Sequence, residues 1–469
     1  MTEKNYDHLK NKWEIASTKK MMSYSFGFVL TLYILVAFNT LIFYFYEVEV
    51  GLEVGLVSLA IIIFSIWIII SSPITGYLTD RPFKWSKRLG YRAPWVIMAA
   101  IPTLLFYFLL FTPPNIDAKA NPWILFWYLV IISCLFGTFL WIFQEHFNGG
   151  FANQFREDFE RRRASAFAFV FPGFILFFMS AIPLFILEYG KKSTFVLTAA
   201  ISVSIMAICV IILIPGVRES PEAKERYIQG HREESDISFL RMIKYAFGQK
   251  NFMVGLIAIT LVNVANALNT ASGIYFYKDV INKPIIYSIY STIVYFIVVM
   301  VSVPFWVAFA RKRGNVTTFI LGIFLSALAF IPYLWITTWQ EDVIFAIGRG
   351  IAGSCYMVMV LPINSDCYDE VTNACGKHQE ARLFGIRTMF LRSAVILQAI
   401  IIALVHVMTG YNQDPTATQS ALAVIGVRIH RALIPMIFCL VAGVIMLLGY
   451  DLKGEKLYQL KNSLWEKGL

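Results

Sequence analysis

The sequence predicts an all-α membrane protein with twelve transmembrane helices arranged as two pseudo-symmetric six-helix halves. Three observations carry that expectation. Hydrophobic residues make up 58% of the 469 and charged residues only 15%, with a mean hydropathy of +0.64, far more apolar than a soluble domain of this length needs. Twelve mostly apolar runs have the length that crosses a bilayer. The basic residues between the runs sort to alternate sides.

A spanning helix takes about 20 mostly apolar residues. Such runs lie at 21–46, 54–78, 94–112, 122–150, 166–188, 194–215, 251–276, 286–310, 316–336, 342–364, 383–408 and 431–450. An even number of crossings leaves both termini on one side. Lys19-Lys20, the segment 80–92, Arg161-Arg162-Arg163, the stretch from Arg218 to Lys244, Arg311-Lys312-Arg313, Lys377 with Arg382 and the lysine-bearing tail all gather there. The opposite connections are read as loops carrying Glu47, Glu49, Glu53, Glu341 and Asp342, with few Lys or Arg. By the positive-inside rule both termini are expected in the cytoplasm, beneath a cell membrane. The net charge of +10 then reflects basic loops and not a nucleic-acid site. Residues 1–20 have no short apolar core before a cleavage site, so no signal peptide is expected and the first helix stays.

The longest polar connection, 216–250, falls after six runs and reads as the linker between an N-terminal half, 1–215, and a C-terminal half, 251–469. Within it Phe239-Leu240, Ile243 and Phe247 have helical spacing and suit a helix on the membrane surface. The halves echo one another: Pro73 is answered by Pro304, and the basic loop 80–92 by Arg311-Lys312-Arg313-Gly314. Repeats of this kind are how transporters build alternating access. Cys134, Cys209, Cys355 and Cys439 fall in apolar runs, while Cys367 and Cys375 fall in one loop on the cytoplasmic side. No disulfide, metal site or cofactor is expected from that spacing. The sequence holds no nucleophile–base pair, zinc motif or phosphate loop, which argues against a membrane enzyme.

The segment Pro73–Trp95 carries a resemblance. Its Gly76-x-x-x-Asp80-Arg81, followed by Lys87-Arg88-x-Gly90-x-Arg92-x-Pro94-Trp95, resembles the signature between helices two and three of the major facilitator superfamily. The form is closest to the glycoside–pentoside–hexuronide:cation symporter branch, the group of the bacterial melibiose carrier. Asp366-x-x-Asp369-Glu370 with Gly376-Lys377-x-x-Glu380-x-Arg382 resembles that branch's acidic loop between helices ten and eleven. Trp306–Arg313 and the stretch 235–256 are similar to its central region. The resemblance covers almost the whole chain. It implies a secondary transporter with a substrate cavity between the halves, moving a small polar organic solute, a sugar or glycoside first. A more distant relative moves lysophospholipid, so a lysolipid-like solute is the alternative, favoured by the 40 phenylalanines. A non-transporting sensor on a carrier fold is a third reading.

Asp80 and Arg81 begin the basic loop, and Arg387 opens the eleventh run from the other half. A charge pair across the cytoplasmic face, with Asp366 and Asp369 nearby, would act as a gate.

Ionisable and amide groups inside apolar runs usually face a cavity or a partner. Trp141, Glu145 and Asn148 share one helical face, and a ring beside a carboxylate and an amide is how a sugar is commonly held. Gln144 falls where the resemblance implies a sugar-binding carboxylate. His146, next to Glu145, is a candidate proton partner. Asn263, Asn266 and Asn269 recur at spacing three, fit either to bind a polar ligand or to tie helices together, and Gln398 and Asn39 are weaker instances. Arg392 lies near the middle of its run, where sugar carriers of the branch place a lysine; Arg349 could contact substrate or reach outward. Sodium-coupled members carry two aspartates where this chain has Ile68 and Ser72, and a third acid near the place of Leu32. Coupling is therefore expected to be to protons, through Glu145 and His146, or absent, and not to sodium. The chain is expected to work as a monomer in the lipid bilayer.

Overall fold

Helix is the regular structure of every described segment in this computed structural model, namely residues 16–79, 90–155, 158–219, 239–376 and 380–466. The elements in chain order are α1 (Thr18–Glu49), α2 (Val54–Thr79), α3 (Ala93–Leu110), α4 (Pro122–Gln154), α5 (Asp158–Ile186), α6 (Lys192–Val217), α7 (Phe239–Phe247), α8 (Lys250–Val280), α9 (Ile285–Arg313), α10 (Asn315–Leu334), α11 (Trp339–Cys375), α12 (Glu380–Thr409), α13 (Ala421–Gly449) and α14 (Glu455–Glu466). Eleven of them are long and apolar enough to cross a membrane. The remaining member of the expected twelve is α5, whose described apolar stretch is Pro172–Ile186.

Local chemistry starts and stops these helices. Ser17 caps α1 by accepting from Lys20 N at 3.3 Å. Pro94 and Pro122 occupy the first turns of α3 and α4, where a missing N–H costs nothing. Thr338 and Glu341 form a reciprocal capping box on α11. Gly376, at φ 69°, ends that helix in the left-handed conformation.

Three expectations need correction. Asp366, Cys367, Asp369, Glu370 and Cys375 lie in the last turns of α11, not in a loop. Glu47 and Glu49 lie in a π-helical last turn of α1, and Asp342 in the first turn of α11; all three are buried, where a loop would expose them. The last spanning helix begins at Ala421 and not near 431. Hydropathy marks where a chain is apolar, whereas a helix continues wherever its backbone and side chains find internal partners.

The chain divides into two compact units. Unit 1 is Met1–Phe38, Ile66–Ile186 and Lys192–Ser235; unit 2 is Asn39–Ser65, Leu187–Lys191 and Asp236–Leu469. In unit 1 the Tyr24 ring stacks on Phe147 with centroids 4.7 Å apart, and Tyr33 Oη meets Ser202 Oγ at 2.8 Å. Glu219 caps α3, accepting from Tyr91 N at 2.8 Å and Arg92 N at 2.6 Å. A carboxylate is well placed there against the positive end of the helix.

In unit 2, α8, α10, α11 and α13 enclose a core that includes Phe252, Phe319, Ile323, Ile363 and Met446. Glycine permits the closest approach. A Cβ on Gly322 would stand 2.6 Å from Cys355 Sγ. The surface helix expected at 239–247 forms as α7, but it packs through Met242 and Ala246 while Phe247 stays exposed. The tail helix α14 buries Leu460 and Leu464, and its Lys461 bridges Asp366, at 3.3 Å, and Asp369. At the foot of α8, Glu370 accepts from Asn251 Nδ2 at 2.7 Å and from Phe252 N at 3.1 Å.

Candidate functional site

In unit 1 the expected face of α4 is present. Trp141 Nε1 donates to Glu145 Oε1 at 2.6 Å, one turn apart, and Asn148 lies exposed beyond them. Both paired side chains are half-buried. The neighbouring residues point elsewhere. Gln144 is buried and its Nε2 reaches Thr31 O at 3.4 Å. His146 is buried, hydrogen-bonded to Thr79 Oγ1 at 2.7 Å and stacked on Trp95 with centroids 5.8 Å apart. Trp141 and Glu145 place a ring and a carboxylate side by side. Ile68 and Ser72 are buried, and Leu32 is half exposed.

Other expected residues are scattered along unit 2. Asn263 Nδ2 donates to Ile259 O at 2.7 Å and to Tyr356 Oη at 3.0 Å, which ties α8 to α11. Asn266 is exposed, and the backbone oxygen of Asn269 accepts from Arg431 Nη1 at 2.7 Å. Arg392 is half-buried on α12 and Gln398 is buried. Arg387 lies beside Tyr356 and Tyr368. Asp80 and Arg81 lie outside the described residues, while Asp366 and Asp369 bind the tail lysine.

A larger polar assembly gathers at one end of unit 2, and sequence reasoning missed most of it. Its members come from the π-helical turns Phe45–Glu49 of α1, Phe276–Val280 of α8 and Ile429–Leu433 of α13, together with the preceding turn of α8, the end of α10, α11, α12 and Tyr411 just beyond α12. π turns inside helices recur at functional sites. Glu47 is fully buried; its Oε1 meets His406 Nδ1 at 2.7 Å and its Oε2 accepts from Tyr275 Oη. His406 Nε2 lies 3.3 Å from His430 Nε2, and His430 Nδ1 lies 2.6 Å from Ser272 Oγ. Beside this chain, Asp279 sits 3.3 Å from Lys278 Nζ and accepts from Tyr411 Oη at 2.6 Å. Burial, with Asp279 next, holds the Tyr411 hydroxyl well above its usual pKa, so it remains a donor.

Asp342 forms the other arm. Its Oδ1 accepts from Tyr333 Oη at 2.6 Å and stands 3.7 Å from Arg349, and its Oδ2 accepts from Tyr277 Oη. Arg349 lies over the Tyr333 ring at 5.2 Å and Arg431 at 4.8 Å. Arg349 is therefore engaged within the unit. From Asp342 to the tail-binding Asp366, α11 runs about 36 Å at 1.5 Å per residue, so the two polar clusters sit at opposite ends of one helix.

One sequence signal could have found this assembly. Tyr44-Phe45-Tyr46-Glu47 recurs as Tyr275-Phe276-Tyr277-Lys278. The two stretches end alike: Val50 N reaches Phe45 O at 2.8 Å, Ile281 N reaches Phe276 O at 3.0 Å, and Gly51 and Asn282 follow with positive φ. The repeat is short and aromatic inside apolar runs, where it reads as core.

Helices long and apolar enough to cross a membrane, several of them carrying buried ionisable groups, mark a multi-span membrane protein. The chain belongs to the MFS/sugar transport protein family, whose model matches residues 23–454. It is 22% identical over 298 residues to sodium-dependent lysophosphatidylcholine symporter 1-A of Danio rerio, covering 55% of this chain and 52% of that protein. It is 36% identical over 103 residues to an uncharacterized symporter of Synechocystis, covering 21% of this chain and 18% of that one. The chain thus spans about half or less of the length of these relatives. Among solved structures, the D-xylose–proton symporter matches over 92% of this chain and 98% of its own, with a TM-score of 0.63 at 13% identity, a likeness of fold.

Proposed function

We propose that the protein is a secondary transporter that moves a small polar organic solute, a sugar or glycoside first, across the cell membrane by alternating access. In this reading the carrier belongs to the melibiose-carrier-like branch and works as a monomer with both termini and the 216–250 linker in the cytoplasm. Coupling is to protons or absent, and not to sodium. The observation that carries it is the Trp141–Glu145 pair: an aromatic edge and a carboxylate 2.6 Å apart on one face of α4, with Asn148 a turn further. Ring stacking plus charge-assisted hydrogen bonds to hydroxyls is the chemistry that selects a polar ring. Arg392, inside a spanning helix, is a second candidate contact.

Thermal-shift screening of the purified protein against sugars, organic acids and lysolipids tests this reading. A sugar should raise the melting temperature, and Glu145→Gln and Arg392→Ala should each abolish that rise while keeping the unliganded transition. An undiminished rise in both variants would move the binding site away from α4 and α12. The zebrafish relative, by its name a lysophosphatidylcholine symporter, favours a second reading with a lysolipid-like solute. A shift with lysophosphatidylcholine and none with any sugar would establish that one instead.

A further inference from the structure

We propose that Glu47, His406, His430 and Ser272 form a binding site for one exchangeable proton at the π-helical end of unit 2. The geometry is a continuous line of hydrogen-bonding atoms: Glu47 Oε1 to His406 Nδ1 at 2.7 Å, His406 Nε2 to His430 Nε2 at 3.3 Å, and His430 Nδ1 to Ser272 Oγ at 2.6 Å. Every link joins two atoms that can each either donate or accept. Ser272 Oγ also lies 2.6 Å from Leu268 O, which gives its hydroxyl proton a second destination.

Two proton counts satisfy this line completely. In one, Ser272 donates to His430, His430 Nε2–H donates to His406, and His406 Nδ1–H donates to a Glu47 carboxylate. Both imidazoles are then neutral. In the other, Ser272 donates to Leu268 O and accepts from His430 Nδ1–H. His430 Nε2 now accepts from His406 Nε2–H, and the contact between His406 Nδ1 and Glu47 must itself contain a proton. The second arrangement holds one proton more than the first. Passing between them re-forms every link and leaves no atom of the line unpaired. A buried polar network normally loses stability when a proton is added, because some group loses its partner. This one does not.

The surroundings decide where the extra proton rests. Four buried carboxylates, Glu47, Glu49, Asp279 and Asp342, face three cations, Lys278, Arg349 and Arg431, among the described residues of this end. Arg428 stands at the rim beside Glu341. One added proton makes this set neutral. Glu47 is the carboxylate that this line reaches, through His406 Nδ1 at 2.7 Å, so the extra proton lies between Glu47 and His406. Tyr275 donates to the far oxygen of Glu47, and Tyr411 stacks on His406 at 4.2 Å while holding Asp279. Tyr44 packs against the Tyr275 ring at 5.1 Å. The site joins α1, α8, α12 and α13, so its protonation bears on four helices at once. That this proton couples to solute movement rests on the transporter reading above; the proton site does not.

Nuclear magnetic resonance of the purified full-length protein, labelled with ¹⁵N-histidine, tests it directly, since the chain has only six histidines. Between pH 5 and 9 the wild type should show one step shared by the His406 and His430 rings, because a coupled pair titrates as a unit. Glu47→Gln should remove the step from that window. Tyr275→Phe, a milder change, removes a donor that favours the carboxylate and should move the midpoint up by about one pH unit or more. Rings that do not titrate in the wild type, or a step that neither variant moves, would overturn the site. In proteoliposomes one proton per neutral solute allows up to about tenfold accumulation per pH unit. Uptake of a sugar or of lysophosphatidylcholine that ignores the pH gradient, beside an intact histidine step, would overturn the coupling alone. No flux of any solute would overturn the transporter reading and leave the titration to decide the site.

Discussion

Replacing Asp342 by asparagine probes the buried charge assembly most severely. The carboxylate accepts from Tyr333 at 2.6 Å and from Tyr277, and stands 3.7 Å from Arg349, with only 1% of the residue exposed. The substitution would keep the shape, lose the charge and turn an amide N–H₂ toward one of the two tyrosine donors. Arg349 and the nearby Arg431 would then be left without their carboxylate. Removing one partner of a buried ion pair costs about 3–5 kcal/mol, since the charge that remains is uncompensated. Chemical unfolding of the purified variant in mixed micelles should show a loss of that order. The double variant Asp342→Asn/Arg349→Gln should recover part of it, with a coupling of about 1 kcal/mol or more, because the second change removes the orphaned cation. A loss below about 1 kcal/mol for Asp342→Asn, or strictly additive single changes, would refute the view that this end of unit 2 is held by compensated buried charge.

Two further outcomes are expected. Gly322→Val would push a side chain into Cys355, whose Sγ would lie only 2.6 Å from even a lone Cβ, and should cost about 1–3 kcal/mol in the same assay. An unchanged stability would mean that α10 and α11 can separate freely. At the opposite end, hydrogen bonds from Lys456 and with Asn251 lower the Asp451 carboxyl to a pKa of about 2. A lowered carboxyl stabilises the folded arrangement above the ordinary carboxylate range and loses that contribution as pH falls toward about 2. Protection of the α14 amides from hydrogen exchange, taken relative to the intrinsic rate at each pH, should therefore fall between about pH 4 and about pH 2, and Asp451→Asn should remove that dependence.

The hydropathy pattern makes the helices legible, because a span must be continuously apolar and loops need not be. It misplaces the ends for the same reason. Glu47 and His430 lower the local hydropathy, so each reads as lying outside a helix that in fact contains it. The α4 face is readable because Trp141, Glu145 and Asn148 are neighbours within one helix, at spacings a helix imposes. The proton site is not, because Glu47 and His406 are 359 positions apart and only the packing of α1 against α12 brings them together. The absence of aspartates at Ile68 and Ser72 is visible in the sequence; the other cluster of ionisable groups needs the structure.

Solute accumulation by the wild-type protein in proteoliposomes, under imposed gradients one at a time, tests the central claim most directly. A solute that shifts the melting transition should accumulate when the interior is alkaline, remain indifferent to a sodium gradient, and lose its pH-driven accumulation in Glu47→Gln. Sodium-driven accumulation, or tight binding with no flux under any gradient, would contradict the account.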